Sequence, residues 1–202
     1  MRAFLIVVAS LLLGACVQTR VASYVDPAYR GGAKIGSMVV AADTQQLGER
    51  EALETAAVAA LKDRGVQAVR MIDLVPPTRP AGPSAEAAAL RAAGTQAVLR
   101  IALERRGVAT RYVPPPPFWG DPFFPYYGYG YGSYPGAFFG PVPAGSWVEE
   151  PMARYAATLQ DTARGATIWK GEAAARGGSD FSDIASKVAR DLVARLGEDG
   201  LI

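Results

Sequence analysis

The sequence predicts an α+β fold: a single mixed β-sheet with packed helices, in the order β-α-β-α-β-insert-β-β-α. The insert is a low-complexity stretch rich in proline, tyrosine and glycine. Three observations predict this arrangement. Helix-period segments separate the first three strand-length apolar runs, which suggests parallel or mixed pairing. Two alternating segments joined by a short turn near the C-terminus read as an antiparallel hairpin. The last segment carries a sustained apolar stripe of helical period.

The N-terminus comes first. Arg2 supplies a short positive region, and Ala3–Leu13 is an apolar run of signal-peptide length, too short to span a bilayer comfortably. Leu13-Gly14-Ala15-Cys16 follows. This resembles the lipobox of bacterial lipoproteins, with Leu13 at −3, a small Ala15 at −1 and then the obligatory cysteine. The resemblance implies cleavage between Ala15 and Cys16, and lipid on the Cys16 thiol as the membrane attachment. Two or more acyl chains make such an attachment stable, whereas one holds only marginally. Val17 stands where aspartate commonly marks inner-membrane retention, so the outer membrane facing the periplasm is expected. The expected segments are a signal peptide at 1–15, a lipidated tether at 16–34, the first part of the domain at 35–112, the insert at 113–147 and the second part at 148–202.

Residues 17–34 mix Pro, Gly, Arg and Tyr without clean periodicity, with a short extended piece at Val21–Val25. Ile35–Ala42 is apolar and of strand length. Glu49–Arg64 is rich in good helix formers, with Leu53, Ala57, Ala60 and Leu61 on one stripe and Gly65 as the stop. Val66–Leu74 reads as the second strand. Pro76, Pro77, Pro80 and Pro83 mark an irregular connection. Ser84 is placed to cap a short helix to Ala93, ended by Gly94. Gln96–Glu104 is the third strand, with Leu99, Ile101 and Leu103 on one face.

The pattern then breaks. The insert 113–147 holds Pro114–Pro117, Phe118-Trp119 and the run from Tyr126 to Gly132, with no strand or helix period. After it, Arg154–Asp161 alternates, Thr162–Gly165 makes a turn, and Thr167–Ala175 alternates with Trp169 inward and Lys170 and Glu172 outward. The closing helix has Phe181, Ile184, Val188, Leu192 and Leu196 on its buried stripe. Ser179 or Ser182 is its expected cap, the pairs Ser179-Asp180 and Ser182-Asp183 read as helix capping, and Gly197 is its end.

In this order the residues resemble the DUF4136-type bacterial lipoproteins. The shared features are the Cys16 lipobox, Ser23-Tyr24-Val25-Asp26-Pro27, and the tract Tyr127-Gly128-Tyr129-Gly130-Tyr131-Gly132. A strand pair with Asp161 and Ile168-Trp169-Lys170-Gly171, then a closing amphipathic helix, complete the likeness. The resemblance implies an envelope protein and carries no catalytic residues over. The element order also resembles the sheet domains of curli secretion factors and of activators of peptidoglycan synthases.

Composition narrows the chemistry. Lys+Arg total 21 against Asp+Glu 19, a net charge of +2, which makes no case for a nucleic-acid partner. One cysteine and no histidine leave no intramolecular disulfide, and none of the commonest general base or metal ligand. No metal, no cofactor and no catalytic residue is expected, and an enzyme is not. The expected partners are the membrane, through lipid on Cys16, and another envelope protein or peptidoglycan. Candidate contacts for the latter are Trp119, Tyr126, Tyr127, Tyr129, Tyr131 and Tyr134, because aromatic rings offer large contact area at modest entropic cost; the other reading of the same tract is a flexible low-complexity loop without a binding role. The alternatives are an accessory subunit of an envelope assembly or secretion complex and, ranked last, a carboxylate-dependent envelope hydrolase.

Overall fold

A computed structural model describes residues 17–78, 82–114 and 145–202. Ala15, Cys16 and the insert aromatics Trp119, Tyr126, Tyr127, Tyr129, Tyr131 and Tyr134 lie outside the described residues. The chain divides into one unit of Met1–Val108 with Pro151–Ile202 and a second of Ala109–Glu150.

The strands are β1 (Gln18–Val25), β2 (Ser37–Asp43), β3 (Gln67–Arg70), β4 (Ala97–Val113), β5 (Ser146–Asp161) and β6 (Thr167–Arg176). The helices are α1 (Leu47–Lys62), α2 (Met71–Leu74), α3 (Pro83–Ala93) and α4 (Phe181–Glu198), with a 3-10 turn at Pro27–Tyr29. The strands form one sheet in the order β1-β6-β5-β4-β2-β3. β2 runs parallel to β3 and β4, whereas β6 runs antiparallel to β1 and β5. The expected α+β class with one mixed sheet is therefore observed.

The main core lies between the sheet and helices α1 and α4. Met38, Val40, Leu99 and Ile101 meet Leu53, Ala57 and Leu61 of α1 and Ile184, Val188, Leu192 and Leu196 of α4 there. A smaller core lies on the opposite face of β2 and β4, where Val39, Ala41 and Val98 meet Met71, Leu90 and Ala93. β2 is thus buried on both faces, which explains its unbroken apolar run. β6 instead alternates strictly after Trp169, with Gly171, Ala173 and Ala175 inward and Lys170, Glu172 and Ala174 outward. The Trp169 ring lies over Gly171, where any Cβ would overlap it. The Trp169 indole N–H donates to Asp199 at 2.7 Å.

Helix ends follow local rules. The N–H groups of Gly65 and Val66 donate to the carbonyls of Lys62 and Leu61 at 2.9 and 3.1 Å, so Gly65, at φ 80°, stops α1 as expected. Gly94, at φ 60°, ends α3.

Five expectations need correction. First, the segment 16–34 carries the eight-residue strand β1 and not merely a short extended piece at Val21–Val25. Its inward residues alternate apolar Val21 and Val25 with polar Thr19 and Ser23, which hides the apolar signal. Those hydroxyls donate to Asp191 and Asp199, contacts across the whole chain. Second, Val66–Leu74 is not one strand: β3 stops at Arg70 and helix α2 begins at Met71. The buried Glu54 carboxylate accepts the Ile72 N–H at 2.8 Å, and Arg70 donates to Asp73 at 2.7 Å. Third, within the Ser179-Asp180 pair it is Asp180, not a serine, that caps α4, accepting the Ser182 and Asp183 N–H groups at 2.8 and 2.9 Å. Ser179 instead donates to Asp183. Fourth, Gly197 lies inside the helix. Gly200, at φ 75°, ends it, and the Gly200 and Leu201 N–H groups donate to the carbonyls of Gly197 and Leu196. Fifth, α3 starts at Pro83 with Gly82 at the cap position, not Ser84.

In the second unit the described residues are 109–114 and 145–150, which include the ends of β4 and β5.

Candidate binding surface

Tyr112 and Trp147 stand at the two points where the chain enters and leaves the insert. Their ring centroids are 5.1 Å apart at an interplanar angle of 57°. This tilted arrangement suits the aromatic quadrupoles. Trp147 nevertheless remains 70% exposed and Tyr112 47%. Gly145 lies against the Tyr112 phenol with no room for a side chain. Arg111 Nε donates to Glu150 Oε1 at 2.8 Å, so this exposed pair has a charged flank that is already neutralised. Large aromatics with this much free surface are typical anchors of recognition sites. The sequence reading placed Trp147 at the end of the insert but did not single it out, and it omitted Tyr112. The available signal was the position of Tyr112, one residue before the low-complexity tract.

Two carboxylates are buried in the first unit, Glu49 at 2% exposure and Glu54 at 0%. Buried charges need full sets of partners. Glu54 Oε1 accepts the Ala42 N–H and Arg50 Nε–H, both at 3.1 Å, while Oε2 takes the Ile72 N–H. Glu49 accepts the Thr44 hydroxyl at 3.1 Å and the Tyr155 hydroxyl, with Arg106 Nη1 at 3.6 Å. The Arg106 guanidinium in turn lies 4.7 Å above the Phe181 ring. Burial, reinforced by the hydrogen bond to Glu49, pushes the Tyr155 phenol well above its ordinary value of 10.0, so it stays a neutral donor. Both carboxylates have saturated partners and no opening to solvent, the arrangement of structural clamps.

Two further carboxylates serve local geometry. Asp161 accepts the N–H groups of Ala163 and Arg164 at 2.8 and 3.1 Å, which fixes the β5–β6 turn. Glu150 is held by Arg111. A cleft of about 410 Å³ opens beyond the C-terminal end of β2, between Asp43, Arg50 and Arg100. Its guanidinium groups are engaged, Arg50 with Glu54 and Arg100 with Glu86 at 2.6 Å. Among the described residues no cluster of acidic or thiol side chains has metal-binding geometry, and no helix is long and apolar enough to cross a membrane.

No family model matches the chain, the DUF4136 type included, and no curated protein matches it. Solved structures do. The chain is similar to the PelC dodecamer from Paraburkholderia phytofirmans, with 20% identity over 89% of this chain and 97% of that one, at a TM-score of 0.48. It is also similar to lipoprotein GNA1162 from Neisseria meningitidis, with 13% identity over 81% of this chain and 99% of that one, at a TM-score of 0.44.

Proposed function

We propose that this chain is a lipid-anchored protein of the bacterial cell envelope whose domain is a non-catalytic binding module. Cys16 carries the lipid after cleavage behind Ala15, and Val17 in place of aspartate supports the outer membrane, facing the periplasm. The domain engages another envelope component, protein or peptidoglycan, through the insert and its flanks. The observation that carries this reading is the Tyr112–Trp147 pair, two aromatics in tilted contact and left largely in solvent at the base of an aromatic tract. The absence of histidine, and the consumption of the single thiol by lipid, support a binding role over catalysis.

The test is crosslinking in intact cells. Deleting residues 113–147 should abolish capture of the partner, and Trp147→Ala should weaken it by about tenfold or more if it is an anchor residue. Capture unchanged by the deletion would remove the insert from the reading. Radiolabelled palmitate should enter the wild type and not Cys16→Ser.

A second reading, an assembly or secretion subunit that oligomerises through its sheet, draws on the outer edge of β1, which no described strand pairs. It requires a defined oligomer by light scattering, and a monomer at high concentration would sink it.

A further inference from the structure

The face of β1, β6 and β5 turned away from α1 and α4 is read row by row from the strand register. Gln18, Arg176 and Met152 form the first row, and Arg20, Ala174 and Arg154 the second. Ala22, Glu172 and Ala156 follow, then Tyr24, Lys170 and Thr158. Arg20, Arg154 and Arg176 are all exposed and surround the small Ala174. With strands about 4.8 Å apart, Arg20 and Arg154 spring from backbones about 10 Å apart. None of the three arginines forms an ion pair with a described residue. Arg176 instead donates to the neutral Gln18 amide oxygen at 3.1 and 3.3 Å. Glu172 is the acidic residue of these four rows, and Lys170 stands beyond it. Like charges so close repel one another, and an external anion would relieve that repulsion.

The chain's own connectivity says where such an anion lies. Cys16 stands two residues before Gln18, so the two Cα atoms are at most about 7 Å apart. A lipid on Cys16 therefore holds the first row of the patch within roughly a Debye length, about 8 Å, of the bilayer surface. Charge interactions across that gap are only partly screened.

We propose that the Arg20–Arg154–Arg176 patch rests on the anionic phospholipid headgroups of the membrane that holds the Cys16 lipid. The proposal depends on the lipid-anchor reading and adds a second, electrostatic attachment to it, of the kind that makes membrane binding firm. It also sets the domain's orientation: the β1-β6-β5 face lies on the bilayer and α4 faces away.

The test uses the processed, lipidated protein in vesicles of phosphatidylcholine with or without phosphatidylglycerol. A fluorophore is placed at Ala174→Cys or, at an exposed position of α4, at Arg190→Cys. Nitroxide at the lipid headgroups should quench the label at 174 more than that at 190, and only in anionic vesicles. High salt should erase the difference. Each basic residue near an anionic surface shifts such a balance by about fivefold, so Arg20→Glu, Arg154→Glu and Arg176→Glu together should lose far more than tenfold of the oriented population. A urea midpoint like that of the wild type verifies that the triple variant is folded. Equal quenching in neutral and anionic vesicles, or stronger quenching at 190, overturns the patch. Palmitate labelling is read separately: its absence overturns the anchor, and its presence with no orientation overturns the patch alone.

Discussion

The parallel and antiparallel parts of the sheet bury their strands by different means. β2, flanked by parallel β3 and β4, has α1 and α4 on one face and α2 and α3 on the other. Its residues from Met38 to Ala42 are consecutive and all buried. β6, flanked by antiparallel β1 and β5, is covered on one face, and its other face carries Lys170, Glu172 and Arg176 into solvent. The comparison shows that strand composition reports how many faces have cover, and so which face stays free to meet something outside the chain. In this molecule the free face is the arginine-bearing one.

The largest expected effect falls on the doubly covered strand β2. Val39→Asp and Val40→Asp place an unpaired charge on either face of β2, and each should cost more than about 4 kcal/mol. A substitution on the open face of β6 behaves differently. Glu172→Thr should stay within about 0.5 kcal/mol. Urea unfolding of the four proteins measures both, and a well-folded Val39→Asp would show that α2 and α3 do not seal their face.

Next in size is the packing of the covered face of β6. Gly171→Val forces the Trp169 ring aside and should cost about 1–3 kcal/mol. Combining it with Trp169→Leu should recover part of that loss, because the clash is with the ring. Additive costs in the double variant would mean that the strain lies elsewhere.

A smaller effect concerns α4, the helix over that same face. Asp180→Ala removes the acceptor for two backbone N–H groups and should cost about 1 kcal/mol. Ser182→Ala should be nearly silent, and thermal melts separate the two.

The last effect leaves stability at neutral pH unchanged and concerns the ionisation of Tyr155, which links β5 to Glu49 of α1. Its folded-state value is raised above the unfolded 10.0, so its contribution is complete below pH 10 and is lost as pH climbs beyond it. Absorbance titration of the tyrosines should find one phenol that ionises only as the fold is lost. A phenol count that is complete in the native state would contradict the buried donor.

Where local periodicity and tertiary cover agree, the elements are readable in advance. Trp169 against Lys170 and Glu172 marks β6, and the Ile184–Leu196 stripe marks α4 without any structure. The arginine patch was not readable, because Arg20, Arg154 and Arg176 are scattered along the chain and meet only through strand register. Tyr112 and Trp147 are likewise separated by the insert that they flank.

The amino-acid order alone established the mixed α+β class and the two C-terminal elements, and it is the whole source of the lipobox expectation at Cys16 and of the aromatic insert, because each rests on residues close together in the chain. Tertiary contacts decided the rest. β1 joins the sheet because Thr19 and Ser23 find carboxylates on and just beyond α4, more than 170 residues away. β3 gives way to a helix at Met71 because Glu54 waits for the Ile72 N–H. Polar residues carry no apolar period, so their place in the fold appears only once their partners are in position.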